Sequence, residues 1–410
     1  MHEQWFRDYV LLAFRMDKAI RKFTDSRFVD YYYGPPEWKA EAEGEAEKES
    51  SALVRDAMAL QDALAEQGLE AHRATYLEKQ LIALETVCRK LNGETFTLED
   101  EVHRCFDVYP ERIPESQFEQ GLSMLDEMLP GKDSLPDRLQ AWRRRYQLAV
   151  TPEKSDVLLS LMQRAAAEAR HRTRALISLP ADEDIDLRMV SDQVYIGDNQ
   201  YLGNYHSRVD VNTDLPTDVN GLLMFVCHEG YPGHHTEFVM KEQRLYREHG
   251  YLEQAIFPII GPQAVMSEAI ARSAFEMVFT PNEAEQWLAE HIYPEAGIEP
   301  ESIDMARLRA MQELLDYPVM GNAAFLLRDG RSDDEVTHYL MKYMLETEEQ
   351  ARKFLDFLKV PFQEAYIFTY FCGKQLMNPW LQGPDRANAF RRFLTEQVYP
   401  SELVLVKESD

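Results

Sequence analysis

Between Cys227 and His235 the chain reads CHEGYPGHH. Three histidines and a glutamate fall within eight residues, directly after the apolar run Leu222, Leu223, Phe225 and Val226. A carboxylate buried beside a histidine is costly unless something pairs with it, and a divalent cation with its bound water would do so. A zinc-peptidase helix ordinarily reads H-E-x-x-H: the two histidines, one turn apart, hold the metal, and the glutamate takes a proton from the water. Here the fourth residue after His228 is Pro232.

Spacing decides what Pro232-Gly233 must do. Residues seven apart on a regular helix share a face but stand about 10 Å apart along the axis, too far for one zinc with nitrogen ligands at about 2 Å. Proline removes a backbone donor and glycine adds freedom, so the pair is expected to widen or kink the helix and bring one of His234 and His235 back beside His228. His234 is favoured, because Pro232-Gly233 is then a two-residue insertion into an ordinary motif. His235 would remain beside the site, facing substrate or helping an oxyanion. The competing reading is an anion-binding turn of backbone amides and histidines.

A third ligand is expected downstream. In QAVMSEAIARSAFE, Glu268 is flanked by Met266, Ala269 and Ile270 and reads as buried, whereas Glu276, two turns on, reads as solvated or ion-paired. The candidate metal ligands are therefore His228, His234, His235 and Glu268, with Glu229 as general base. An oxyanion needs a further donor: Tyr370 in TYFCGK is the first candidate and Tyr317 in LDYPVMGNAA the second, each against the alternative of core packing. Tyr205 or His206 could line the cleft, and the alternating stretch Arg208–Val211 could pair with an extended substrate.

The elements that position these residues are mainly helical. Residues 1–180 carry apolar residues at three- and four-residue steps, as in Tyr76–Leu91, with breaks at YPERIPES and LPGKDSLPDR. Glu41–Ser50 is an acidic run with no chemistry of its own. Near residue 180 the text changes: Asp186–Pro216 mixes β-branched and aromatic residues with Asn, Asp and Gly, and reads as two or three short strands. Helical patterning returns over Thr217–Glu229, His234–Glu248, Pro262–Phe279 and Pro300–Leu327. The reading is a mainly α fold with a small β element before the motif helix. It divides into an N-terminal helical region (1–180) and a catalytic region (181–410), which could pack as one body around a cleft.

The bulk numbers exclude some partners. With 410 residues and 45% hydrophobic composition the chain can bury a large interior, and a net charge of −27 argues against nucleic acid or an anionic membrane. The basic runs Arg143–Arg145 and Arg170–Arg174 read as solvated helix faces. Cys88, Cys105, Cys227 and Cys372 are scattered without a C-x-x-C, as expected of buried free thiols in a reducing compartment. The N-terminus reads as an amphipathic helix, not a signal peptide, and no stretch approaches about 18 apolar residues. A cytoplasmic location is expected.

HEGYPGHH resembles the H-E-x-x-P-G-H-H signature of the domain-of-unknown-function 885 family. The resemblance extends over roughly residues 190–400. Glu268-Ala269-Ile270-Ala271 matches the family's E-G-W-A segment at the Glu and the final Ala. Tyr370, Phe371, Cys372 and Gly373 match its Y-x-x-G, and FRRFLTEQVYPSELV is similar to its closing helix. The Gly and Trp of E-G-W-A are missing, MNPWL replaces the arginine that follows Y-x-x-G, and Thr236-Glu237 follow the histidine pair. The resemblance implies a helical, zinc-metallopeptidase-like (gluzincin-like) core with a glutamate as third ligand. The expected function is hydrolysis of a peptide or small amide by a water activated on one Zn2+ per chain. Two alternatives stand beside it: a non-catalytic helical protein stabilised by a metal or anion that binds a partner, and a hydrolase of non-peptide esters or amides.

Overall fold

Apolar residues at helical spacing build most of this molecule. The structure, a computed structural model, describes residues 2–22, 24, 27–148, 152–192, 197–214, 216–300 and 304–404. It is mainly helical, with short strands. The first helix, His2–Ile20, buries Trp5, Tyr9, Leu12 and Met16 along one face. The helix Ala71–Leu91 begins where the Glu70 side chain accepts from the amides of His72 and Arg73, and Thr97 caps Leu98–Phe106 in the same way. The acidic run does structural work: Glu41 pairs with Arg7, and Glu45 takes Arg15 through two bonds of 2.6 Å, fastening the first helix. All four cysteines are free and buried.

The β element is a three-stranded sheet in which His206–Asn212 lies at the centre, parallel to Asp184–Val190 and antiparallel to Gly197–Gly203. Residues 193–196, inside the stretch read as strands, lie outside the described residues. The central place of His206–Asn212 corrects one expectation: Arg208–Val211 has both edges already paired and cannot accept a substrate strand. Asn204 and Tyr205 form the tight turn into that strand, both left-handed at φ 53° and 64°. Their amides donate to buried Glu242, which Arg247 also holds. Tyr205 thus packs under Arg247, and neither it nor the exposed His206 joins the histidine cluster.

The stretch expected as one helix over Pro300–Leu327 is two, Met305–Leu314 and Tyr317–Arg328, with 301–303 outside the described residues. Pro318 lacks the N–H that would continue the first helix and suits the first turn of the second. Arg170, expected as solvated, turns inward to the buried carboxylate of Glu183 at 2.7 Å, while Arg174 stays exposed, as expected, and reaches the same carboxylate at 3.4 Å.

Helices from both sides of residue 180 meet in one hydrophobic core. Leu222–Glu229 packs on Pro152–Leu176, and Pro262–Val278 packs on Ala71–Leu91 and Leu98–Phe106. Among the described residues no helix is long and apolar enough to cross a membrane.

Candidate metal centre

The motif helix Leu222–Glu229 stops at Gly230, and a second helix, His234–Lys241, starts four residues later. The hydrogen bonds across the gap count the insertion. Gly233 N donates to Cys227 O at 2.9 Å and Thr236 N to Gly230 O at 3.2 Å, each spanning six residues where a helix spans four. Two residues are looped out, and His234 falls where the second histidine of an uninterrupted motif would stand. Both glycines are required by close approach. A Cβ on Gly233 would lie 2.0 Å from His228 O, and one on Gly230 2.6 Å from Val226 O.

His228, His234 and Glu268 converge, with one ligand atom from each within 4.8 Å of the others. The Glu268 oxygens lie 3.8 Å from His228 Nε2 and 4.0 Å from His234 Nε2, and Glu229 Oε1 lies 3.9 Å from His228 Nε2. Ligands around a zinc ion stand roughly 3.3–3.6 Å apart, so side-chain adjustments on the order of an ångström close the set. Glu268 Oε2 is buried without a hydrogen-bond partner, an arrangement that costs free energy unless a cation meets it. The donor set, two imidazoles and a carboxylate, suits zinc.

Charge around the cluster is negative. Burial pushes the carboxyl of Glu229 up to about 7, against the pull of His234 and with help from Glu268. Burial likewise raises Asp30 to about 6, although Arg27 favours its charge, and raises Glu268. His234 is held above the ordinary imidazole range: burial opposes its charge, but Glu268, Glu229, Glu237 and Asp30 together outweigh burial. His228 keeps 29% of its side chain exposed. Surrounding protein still pushes it well below the ordinary range, with His234 and Arg272 adding to the shift.

A buried chain of polar groups sets the orientation of His234. Its Nδ1 lies 3.0 Å from Ser267 Oγ, which donates to Glu237 Oε2 at 2.6 Å, and Lys241 Nζ donates to the other oxygen of Glu237 at 2.6 Å. The hydroxyl has one proton and gives it to Glu237. It can therefore only accept from His234 Nδ1–H, which leaves Nε2 for the site.

His235 takes no part in the cluster, which corrects its place among the candidate ligands and its expected role facing substrate. It is fully buried, with Nδ1 2.8 Å from Ser207 Oγ and Nε2 3.2 Å from Glu183 Oε2. Glu183 is held further by Tyr231 and Arg170 at 2.5 and 2.7 Å. Adjacent residues on a helix point about 100° apart, so once His234 faces the site His235 must face the sheet.

Tyr317 and Tyr370 stack with ring centroids 4.2 Å apart, and Tyr370 meets the ring of Tyr366 edge-on at 5.5 Å. A close helix contact positions Tyr370: a Cβ on Gly373 would lie 2.4 Å from Val265 O, so Thr369–Met377 rests directly on the backbone of Pro262–Val278 that carries Glu268. Glu276 is ion-paired at the surface with Lys374, as expected. Sequence reasoning missed Tyr366, whose hydroxyl favours the charged form of Glu268, and also Ser267, Glu237 and Asp30. Tyr366 had a signal, since it stands one helical turn before Tyr370. Gly197–Gly203 lies against the motif helix: a Cβ on Gly197 would strike the Phe225 ring at 2.2 Å, and Asn199 Nδ2 donates to Glu229 O at 2.5 Å.

No family model matches the chain, and no curated protein matches its sequence. Among solved structures it is similar in fold to a candidate lipoprotein from Colwellia psychrerythraea. The TM-score is 0.51 at 15% identity, covering 94% of this chain and 67% of that one. A candidate lipoprotein of unknown function from Shewanella oneidensis matches with a TM-score of 0.49 at 10% identity, over 91% of this chain and 76% of that one.

Proposed function

We propose that the chain is a zinc-dependent hydrolase of peptide bonds with a gluzincin-like site. The observation that carries the reading is the convergence of His228, His234 and Glu268 around a buried carboxylate oxygen with no partner of its own. The ligand order, two histidines of one interrupted motif and a glutamate from a later helix, is that of zinc peptidases whose third ligand is a glutamate. The H-E-x-x-P-G-H-H signature supports the same reading through its resemblance to the domain-of-unknown-function 885 family.

Bound there, a zinc ion would polarise the substrate carbonyl and acidify a water. Glu229, adjacent to the ligands and not among them, takes the proton of the attacking water and passes it to the leaving nitrogen. Burial keeps the hydroxyls of Tyr317 and Tyr370 protonated by raising their pKa values above the ordinary range, so they serve as hydrogen-bond donors to the developing oxyanion.

The test is elemental analysis of protein purified without chelators, followed by digestion of a mixed peptide pool read by mass spectrometry. About one zinc per chain and cleavage abolished by Glu229→Gln are expected. A chain that neither holds nor accepts zinc, or holds it and cuts no peptide, overturns the reading.

A further inference from the structure

Arg272 stands one turn beyond Glu268 on the same face of the helix Pro262–Val278. Its guanidinium lies 4.8 Å from the centroid of Tyr317, which stacks on Tyr370. The side chain is only 14% exposed, yet its Nε has no hydrogen-bond partner. Its bond to Glu313, 3.1 Å from the terminal nitrogen, does not exhaust it, because the same carboxylate is also met by Lys374 Nζ at 2.8 and 3.1 Å. Asp316, next to Tyr317, likewise lies in the field of Arg143 as well as Arg272. A guanidinium offers five N–H groups in a planar fork matched to a carboxylate, and a buried unmade bond is costly.

We propose that Arg272 receives the free C-terminal carboxylate of the substrate, which makes short peptides, cut one or two residues from that end, the preferred class. One helical turn separates Arg272 from Glu268, about 6 Å along the axis, and one or two residues beyond the scissile bond span about 3.5–7 Å. This inference rests on the peptidase reading. The tyrosine beneath the guanidinium holds its plane, as a bidentate contact requires.

The test uses matched N-acetyl dipeptides and tripeptides, each as free acid and as C-terminal amide. Binding to the zinc-loaded Glu229→Gln chain is measured by calorimetry and needs no turnover. Hydrolysis is measured on the unaltered chain. The free acids are expected to bind about tenfold to a hundredfold more tightly, the range for a hydrogen bond to a charged group, with the difference appearing in KM. Arg272→Gln should bring the acid-to-amide ratio to about one, and Arg272→Lys should restore part of it. Equal binding of acid and amide overturns the proposal. So does a preference that survives in Arg272→Gln, or a loss in that variant that is equal for both series, as a purely structural arginine would give. If no peptide is cut while the binding preference holds, the peptidase reading fails and the carboxylate site stands. If peptides are cut without preference, only the carboxylate site fails.

Discussion

Ser267 Oγ lies 3.0 Å from His234 Nδ1 and commits its only proton to Glu237. An imidazole that could otherwise rotate or change tautomer is thereby held with Nε2 toward Glu268. Ser267→Ala should weaken zinc binding by about tenfold to a hundredfold, the usual cost of losing such a partner, with little change in the melting temperature of the metal-free chain. Competition against a chelator of known affinity measures it. Ser267→Thr, which keeps the hydroxyl, should recover most of the loss.

Glu229 and Glu268 should separate cleanly. Glu229→Gln keeps the metal and loses about 10²–10⁴ in kcat, the range for a general base. Glu268→Ala loses the metal first. Zinc content and single-turnover hydrolysis on the same preparations check both, and a Glu229→Gln chain empty of zinc would make Glu229 a ligand.

The adjacent histidines should fail in different ways. His234→Ala abolishes zinc binding and leaves the metal-free fold near its original stability. His235→Ala strips a neutral hydrogen-bond partner from buried Glu183, which keeps Arg170 and Tyr231, and costs roughly 1.5–3 kcal/mol, while the remaining folded protein binds zinc nearly normally. Urea unfolding and zinc titration of the two variants decide between these patterns.

Acid should weaken the metal-free protein through the same buried pair. Burial holds His235 below its ordinary pKa even with Glu183 beside it. Burial also opposes the charge of Glu183, but bonds from His235, Tyr231 and Arg170 outweigh it and keep the carboxyl below its usual range. Both groups bind fewer protons folded than unfolded, so stability rises with pH in their windows. It is fully present above about 6.5, falls as the unfolded histidine takes its proton, and falls again below about 4.3, where the unfolded glutamate does. His235→Gln should flatten the upper part of that loss in urea titrations between pH 7 and pH 5.

Much of this site was legible because its logic is local. Counting Pro232-Gly233 as an insertion points to His234, and an apolar neighbourhood marks Glu268. The mainly helical fold follows from periodicity over long segments such as Ala71–Leu91. What stayed hidden depends on distant pairing. Glu183 lies 52 residues before His235, in a loop with no pattern of its own. That Arg208–Val211 sits at the centre of its sheet depends on which strands flank it, and alternation along one strand does not carry that information. The split at Leu315–Asp316 was available in principle from Pro318, but the apolar spacing on either side masked it.

The interior shared across residue 180 bears on how this protein can change over generations. A visible shift in composition there suggests a seam, yet Leu222–Glu229 and Pro262–Val278, which carry His228 and Glu268, lean on helices from the other side of it. Exchanging either half with that of a distant relative would leave close-packed surfaces facing unmatched partners. The two halves are therefore expected to be inherited together, with change entering through single residues and not through swapped parts.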